Sequence, residues 1–253
     1  MSKGIALVTG AAQGIGQAIA LQLASDGFDV ALNDIPPKKE QLDTVAQEIN
    51  ATGQKALVVC ADVSIEDDVV AMVKDTVEGL GGLDVMVANA GISGSLGPLV
   101  EISTDAWDKL FAINARGVYL CYKHAAKQMI AQGRGGRIIG ASSAAGKRGF
   151  PLNTVYCASK FAVRGLTQSA ASELGKHGIT VNSYAPGIID TPMVQGLEDQ
   201  RDKDLLTAAV AATPAGYTGK SEDIASVVSY LASKEAHFIT GQSLSVDGGM
   251  ILS

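Results

Sequence analysis

Apolar positions change their spacing along the chain in a regular way, and the change marks out the elements. Between residues 156 and 174, Ala158, Phe161, Ala162, Leu166, Ala170 and Leu174 recur at three- and four-residue steps, the period of a helix with one buried face. Elsewhere, short runs rich in Val, Ile, Leu and Ala lack that period and read as strands, at residues 5–9, 29–33, 55–60, 85–88, 137–141, 180–184 and 243–246. Helices are expected at 14–25, 38–51, 65–78, 104–132, 156–175 and 221–231. Strand and helix alternate without a shift in composition, which predicts one α/β domain over residues 1–253. Its sheet should be doubly wound, with about seven parallel strands buried on both faces and helices covering each side. Ser64 ahead of Glu66 and Asp67, and Ser221 ahead of Glu222 and Asp223, predict capping hydroxyls followed by acidic first turns. The alternation breaks at 188–220, where Pro192, Gly196, Pro214, Gly216 and Gly219 punctuate a long connection. In a compact domain such an insertion is expected to be a lid or binding loop.

Composition narrows the class of ligand. The 253 residues are 47% hydrophobic, enough for a sizeable core, and seven prolines with no low-complexity run provide no linker. The net charge of −6 comes from interspersed signs, without a basic stripe or a like-charged block. Nucleic acid and anionic membrane are therefore not expected as partners, and a small molecule is. Apolar runs stop at strand length, short of the roughly 20 residues of a membrane span, and residues 5–10 read as strand rather than signal peptide. A cytoplasmic protein is expected. Cys60, Cys121 and Cys157 have neither metal nor redox spacing and should be reduced thiols acting as small hydrophobic groups. His124, His177 and His237 are scattered, so no metal site is expected.

Three stretches carry chemistry. After the first strand, Gly10, Gly14, Ile15 and Gly16 form a G-x-x-x-G-I-G run in which a helix opens. Glycines there let the backbone approach a pyrophosphate, and the helix N-terminus attracts its charge. Asp34 ends the second strand eighteen residues after Gly16, placed to accept hydrogen bonds from the adenosine ribose hydroxyls and to repel a 2′-phosphate. Gln13 and Ile35 bring no cation to that position, and Lys38 and Lys39 lie beyond two prolines, so NAD is expected over NADP. Asp62-Val63 and Asn89-Ala90-Gly91 follow the third and fourth strands, at the edge where an open α/β sheet binds its ligand. Finally, Tyr156 and Lys160 stand one helical turn apart. A phenol with an ordinary pKa of about 10 works poorly near neutrality, and a neighbouring ammonium is expected to lower it by roughly 1–3 units.

Thr9-Gly10 with Gly14-Ile15-Gly16, Asp62, Asn89-Ala90-Gly91, Asn114, Ser143, Tyr156-x-x-x-Lys160 and Pro186-Gly187, in this order along nearly the whole chain, resemble the short-chain dehydrogenase/reductases. One departure is Ala88, where that family often has a second Asn. The resemblance implies a single Rossmann-type domain of seven parallel strands, a homotetramer, and reversible hydride transfer between an alcohol and a carbonyl. It further implies that Tyr156 is the acid–base residue, that Ser143 bonds the substrate oxygen, and that Lys160 holds the nicotinamide ribose and lowers the Tyr156 pKa. Asn114 would hold a water leading from Lys160 to solvent. Asp62 and Val63 would flank adenine, Asn89 and Gly91 the nicotinamide ribose, and Ile189 and Thr191 the carboxamide.

Two other classes fit less well. A hydrolase using Ser143 lacks the G-x-S-x-G elbow, and an NAD-sensing binding protein would be expected to have lost part of the Asn114–Ser143–Tyr156–Lys160 set, which is complete. For the substrate, Ala144, Ala145, Phe150, Leu152, Ile188, Met193 and Leu197 predict an apolar pocket. Residues 161–168 and 240–250 most resemble acetoin/diacetyl reductases, also called butanediol dehydrogenases. Those relatives often place polar groups where this chain has Ala144 and Phe150. A second substrate hydroxyl there would lose water without gaining a partner, at roughly 1–3 kcal/mol. The expected substrate is a secondary alcohol/ketone pair with a hydrophobic flank. Acetoin or 2,3-butanediol comes next, then 3-oxoacyl or steroid-type compounds. The apolar ending Met250-Ile251-Leu252 is expected to dock at a subunit interface.

Overall fold

The computed structural model describes residues 2–94, 96–195 and 200–252, with the backbone alone at residues 201 and 202. Strands β1 (Ile5–Thr9), β2 (Asp29–Asp34), β3 (Ala56–Cys60), β4 (Val85–Ala88), β5 (Gly136–Ala141), β6 (Ile179–Pro186) and β7 (Ser243–Val246) form one sheet. Helices α1 (Gly14–Ser25), α2 (Lys39–Ala51), α3 (Glu66–Leu80), α4 (Thr104–Phe111), α5 (Val118–Gln132), α6 (Thr154–Leu174), α7 (Pro192–Gln195), α8 (Gln200–Ala211) and α9 (Ser221–Ala232) connect them. The order is β3-β2-β1-β4-β5-β6-β7, and every pairing is parallel. Strand order reverses between β1 and β4, which opens a crevice at their carboxyl ends.

The sheet separates two cores. Ala6 and Val8 of β1 face one layer with Ile19, Leu23, Leu42, Ile49 and Val228, from α1, α2 and α9. Leu7 faces the other with Met72, Leu120, Met129 and Val163, from α3, α5 and α6. β1, β4 and β6 are buried along their whole length. The expectation that all seven strands are buried on both faces fails at the edges: β3 and β7 each have only one neighbour and stay partly open. Cys60, at the exposed end of β3, is accordingly a surface thiol, whereas Cys121 and Cys157 are buried. Burial pushes the Cys121 thiol up to about 12.

Three local expectations are corrected. Ser64 does not cap α3. Its hydroxyl donates to Asp62 Oδ1 at 2.8 Å, and Asp68 reaches back to accept from the Asp62 amide at 2.9 Å. Ser221 is the first residue of α9, where Asp223 Oδ2 accepts from the Lys220 amide at 2.7 Å. In both cases a first-turn carboxylate reaches back to accept an amide ahead of the helix, and among the described residues the serine hydroxyl accepts none of the helix amides. The helix expected over 104–132 is continuous but contains a π-turn at Ala112–Gly117, which buries Asn114. Such turns concentrate at functional sites. The insertion at 188–220 is tied at its root, where Asp190 donates to the Gly219 carbonyl and Gly219 to that of Ile188. α7 and α8 lie between these ends. Leu197 lies outside the described residues.

Candidate active site

The loop from β1 to α1 has the form a pyrophosphate cradle needs. Gly10 and Gly14 are left-handed, at φ +66° and +57°. A Cβ on Gly16 would run into the Gly10 carbonyl and lie 2.5 Å from Asn89 Nδ2. Among the described residues no side chain caps α1, so its first amides remain for an anion. Ile15 packs partly into the core and fixes the helix start.

Asn89 differs from expectation in its employment. Its Nδ2 donates to the Thr9 and Gly10 carbonyls at 2.8 and 3.2 Å, and its Oδ1 accepts from the Tyr184 hydroxyl at 2.8 Å. Thr9 Oγ1 accepts from the Asn89 and Ala90 amides, both at 3.0 Å. The side chain therefore locks the glycine loop across the crevice, which leaves the backbone of residues 89–91 as the surface for a ligand. A Cβ on Gly91 would sit 3.2 Å from Asn114 Oδ1 and 3.4 Å from Lys160 Nζ, so glycine lets this backbone meet the next cluster.

At the adenosine end, Asp34 Oδ2 accepts from the Ala12 amide at 3.2 Å and Oδ1 from the Ile35 amide at 2.9 Å. Those bonds hold the carboxylate at the crevice mouth, while Ile35 faces solvent. The two prolines do not carry Lys38 away. They open a 3₁₀ turn at Pro36–Lys38 that folds it back, and its Nζ donates to Gln13 Oε1 at 3.1 Å. The carboxylate of Asp62 is used within its own turn, accepting from the Ser64 amide and hydroxyl. Val63 is buried against Gly117.

The other end gathers Ser143, Tyr156, Lys160 and Asn114. Ser143 follows β5 in extended backbone, and its Oγ accepts from the Ala145 amide at 3.1 Å. Lys160 is buried, donates from Nζ to the Ala141 carbonyl at 2.9 Å, and lies 5.5 Å from the centre of the Tyr156 ring. Burial lowers Lys160 to about 8. Burial also raises Tyr156, and the Ser143 hydroxyl opposes that rise. Spacing alone predicts that Lys160 lowers Tyr156. In this arrangement desolvation dominates, because the ammonium is itself desolvated and turned to the Ala141 carbonyl. Asn114 Nδ2 donates to the Ile92 carbonyl at 2.8 Å, and its Oδ1 accepts from the Ile92 amide at 2.9 Å. It thus joins the exit of β4 to the π-turn.

Pro186 and Gly187 end β6 against β7. The Gly187 amide donates to the Val246 carbonyl at 3.1 Å, and a Cβ there would lie 2.8 Å from Asp247 Cα. Ile189 is buried, and Thr191 comes within van der Waals reach of a Cβ placed on Gly14, so the root of the insertion rests on the glycine loop. Ala144 and Ala145 are buried beside Ser143, while Phe150 is half-buried under the Arg148 guanidinium, 4.8 Å from its ring centre. Met193, on α7, is 45% exposed. Tyr184 is a site residue with no sequence signal; Lys38 is weighed in the sequence but placed too far away, and Thr9 is quoted there in the glycine motif without a role of its own.

This chain matches known proteins along almost its whole length. A family model described as enoyl-(acyl carrier protein) reductase covers residues 10–251. A short-chain dehydrogenase/reductase of Hericium erinaceus is 54% identical over 252 residues, 99% of this chain and 98% of that protein. The L-2,3-butanediol dehydrogenase of Corynebacterium glutamicum is 40% identical over 258 residues, 99% of each chain. Among solved structures, a blue fluorescent protein from a metagenomic library, in complex with NADPH, superimposes with a TM-score of 0.90 at 36% identity over 99% of each chain. With these matches spanning almost every residue that builds the crevice, the chain belongs to the short-chain dehydrogenase/reductase family, oxidoreductases that work with a nicotinamide cofactor.

Proposed function

We propose that this protein interconverts a secondary alcohol and a ketone with NAD(H), using Tyr156 as general acid and base. The observation that carries the reading is the buried Lys160 with its Nζ 5.5 Å from the centre of the Tyr156 ring, on the sheet edge that also holds Ser143 and the glycine cradle. The glycine approach at Gly10, Gly16 and Gly91 and the carboxylate of Asp34 fit a dinucleotide, with Pro186, Gly187, Ile189 and Thr191 beside its nicotinamide end. When bound, the nicotinamide supplies or accepts the hydride. Tyr156 protonates the substrate oxygen in ketone reduction and takes its proton in alcohol oxidation. Ser143 donates to the same oxygen and steadies its developing charge. Lys160, buried and cationic near neutral pH, would hold the ribose hydroxyls, while Asn114 keeps the wall at Ile92 fixed.

Asp34 underlies the choice of NAD. Repulsion between unit charges about 4 Å apart is on the order of 4 kcal/mol near a protein surface before salt screening, and about 1.4 kcal/mol is a factor of ten. Asp34→Ser is therefore expected to raise the NADP/NAD ratio of kcat/KM by about tenfold or more. Any NADP use in the unmodified enzyme would draw on Lys38, which the turn at Pro36–Lys38 brings to the same end. An unmodified enzyme that prefers NADP would contradict this reading.

The substrate we infer has a hydrophobic flank, since Ala144, Ala145 and Phe150 offer no side-chain partner to a second hydroxyl, whereas each added methylene buried there gains about 0.8 kcal/mol. Acetoin, diacetyl or 2,3-butanediol is the second reading, favoured by the 40% identity to a butanediol dehydrogenase. Comparing kcat/KM for acetophenone and 1-phenylethanol with that for the small vicinal compounds separates the two. The larger monofunctional pair is expected to win, and a preference of about a hundredfold for the vicinal compounds would reverse the order. A cytoplasmic homotetramer is part of the same proposal. Its support is Tyr230 of α9, Phe238 at 93% exposure and Leu252, all apolar and uncovered in one chain.

A further inference from the structure

Leu152 is the one non-glycine residue with positive φ among the described residues, at +64°. Side chains rarely adopt that conformation, and where a structure retains it the surroundings over-determine it, most often at ligand sites. Leu152 lies between Ser143 and Tyr156, two residues before α6 opens at Thr154. Its carbonyl accepts from the Gly97 amide at 2.9 Å, in the segment that continues from Asn89-Ala90-Gly91. One backbone bond thus ties the chain leaving β5 to the chain leaving β4. On the near side the turn is closed by two more bonds: Asn153 donates to the Phe150 carbonyl at 3.3 Å, and the Phe150 amide donates to Cys157 Sγ at 3.4 Å. The buried thiol next to Tyr156 is therefore part of the same fastening.

We propose that Leu152 is a positioning residue for the substrate: its left-handed turn fixes the segment carrying Phe150 against the chain at Gly97, and so sets the width of the cleft beside Tyr156. The proposal rests on the reading that this cleft takes the ketone. Returning Leu152 to an ordinary φ would rotate its carbonyl away from Gly97 and release the two walls from each other. Ser143, Lys160 and the glycine cradle are held by separate bonds and would keep their places.

The experiment uses four variants of the full chain. Leu152→Val puts a β-branched residue where positive φ is hardest to hold. Leu152→Gly allows the turn freely. Gly97→Pro removes the donor, and Gly97→Ala keeps it, since a Cβ there meets open space. Leu152→Val and Gly97→Pro are each expected to raise KM for a small ketone about tenfold, the scale of one lost hydrogen bond, with kcat and NADH affinity within about twofold. The double variant should be no worse than either single one, because both break the same tie. Gly97→Ala should keep the KM of the unmodified enzyme. Amide exchange at Gly97, read without substrate, should quicken in Leu152→Val and not in Leu152→Gly. Unchanged KM and unchanged exchange in Leu152→Val would overturn the proposal. So would a fall in Tm and NADH affinity parallel to the rise in KM, which marks a merely structural role. Failure of the ketone reading would show separately, as undiminished turnover in Tyr156→Phe.

Discussion

Tyr156→Phe is expected to lower kcat for ketone reduction by about 10²- to 10⁴-fold, the usual share of a general acid, with NADH affinity within about twofold. The ring stays, so its packing and its position 5.5 Å from Lys160 Nζ are preserved, and only the proton donor is lost. Lys160 cannot substitute from its present place, since its Nζ is committed to the Ala141 carbonyl and lies over the ring face. The fall should appear equally in kcat and kcat/KM, the signature of an interaction made in the transition state. Steady-state kinetics with an NADH titration monitored by fluorescence checks both halves. Retention of more than about a tenth of the activity would remove Tyr156 from the role.

Ser143→Ala should cost about 10²- to 10³-fold in kcat, as loss of a donor to a developing oxyanion does. A second effect has a definite sign. The Ser143 hydroxyl holds Tyr156 below the value burial alone would give it. Removing that hydroxyl raises the phenol, so in the alcohol-oxidising direction, which needs the phenolate, the rising limb of the pH–rate profile should move to higher pH. Ser143→Thr keeps the hydroxyl and should restore both rate and profile. A Ser143→Ala enzyme with an unmoved profile would mean that the serine does not touch the catalytic phenol.

Much of this arrangement is legible in the sequence because it rests on local rules. The glycines at 10, 14 and 16 sit between an apolar strand and a periodic helix, Asp34 ends the next strand, and four-residue spacing alone places Tyr156 and Lys160 on one helical face. The strand order supplied the rest of the crevice. What the sequence concealed depends on tertiary contacts. Nothing at 112–117 announces a π-turn, because its cause is the packing of Asn114 against Ile92 and of Gly117 against Val63. Lys38 was judged remote because two prolines suggested extended chain, yet Pro at the first position of a 3₁₀ turn starts it and bends the lysine back. Asn89 was read as a ligand residue, but β4 places its amide between Gly10 and Tyr184, residues 79 and 95 positions away. Leu152 is not a residue type that announces a left-handed turn, and the neighbouring Asn153, which is, takes φ −122° instead. The pKa of Tyr156 was misjudged for the same reason: charge proximity can be read from spacing, whereas desolvation depends on everything folded around the site.

The central claim is that this site moves hydride between a nicotinamide and the carbinol carbon of a secondary alcohol. Its most direct measurement follows the isotope: incubate the protein with acetophenone and NADH deuterated at nicotinamide C4, then locate the label in the product by mass spectrometry and NMR. The account predicts deuterium on the carbinol carbon of 1-phenylethanol, on one enantiomer in excess, delivered from one face of the nicotinamide and lost with Tyr156→Phe. Labelled NADH that remains unconsumed with acetophenone, acetoin and diacetyl alike would contradict it.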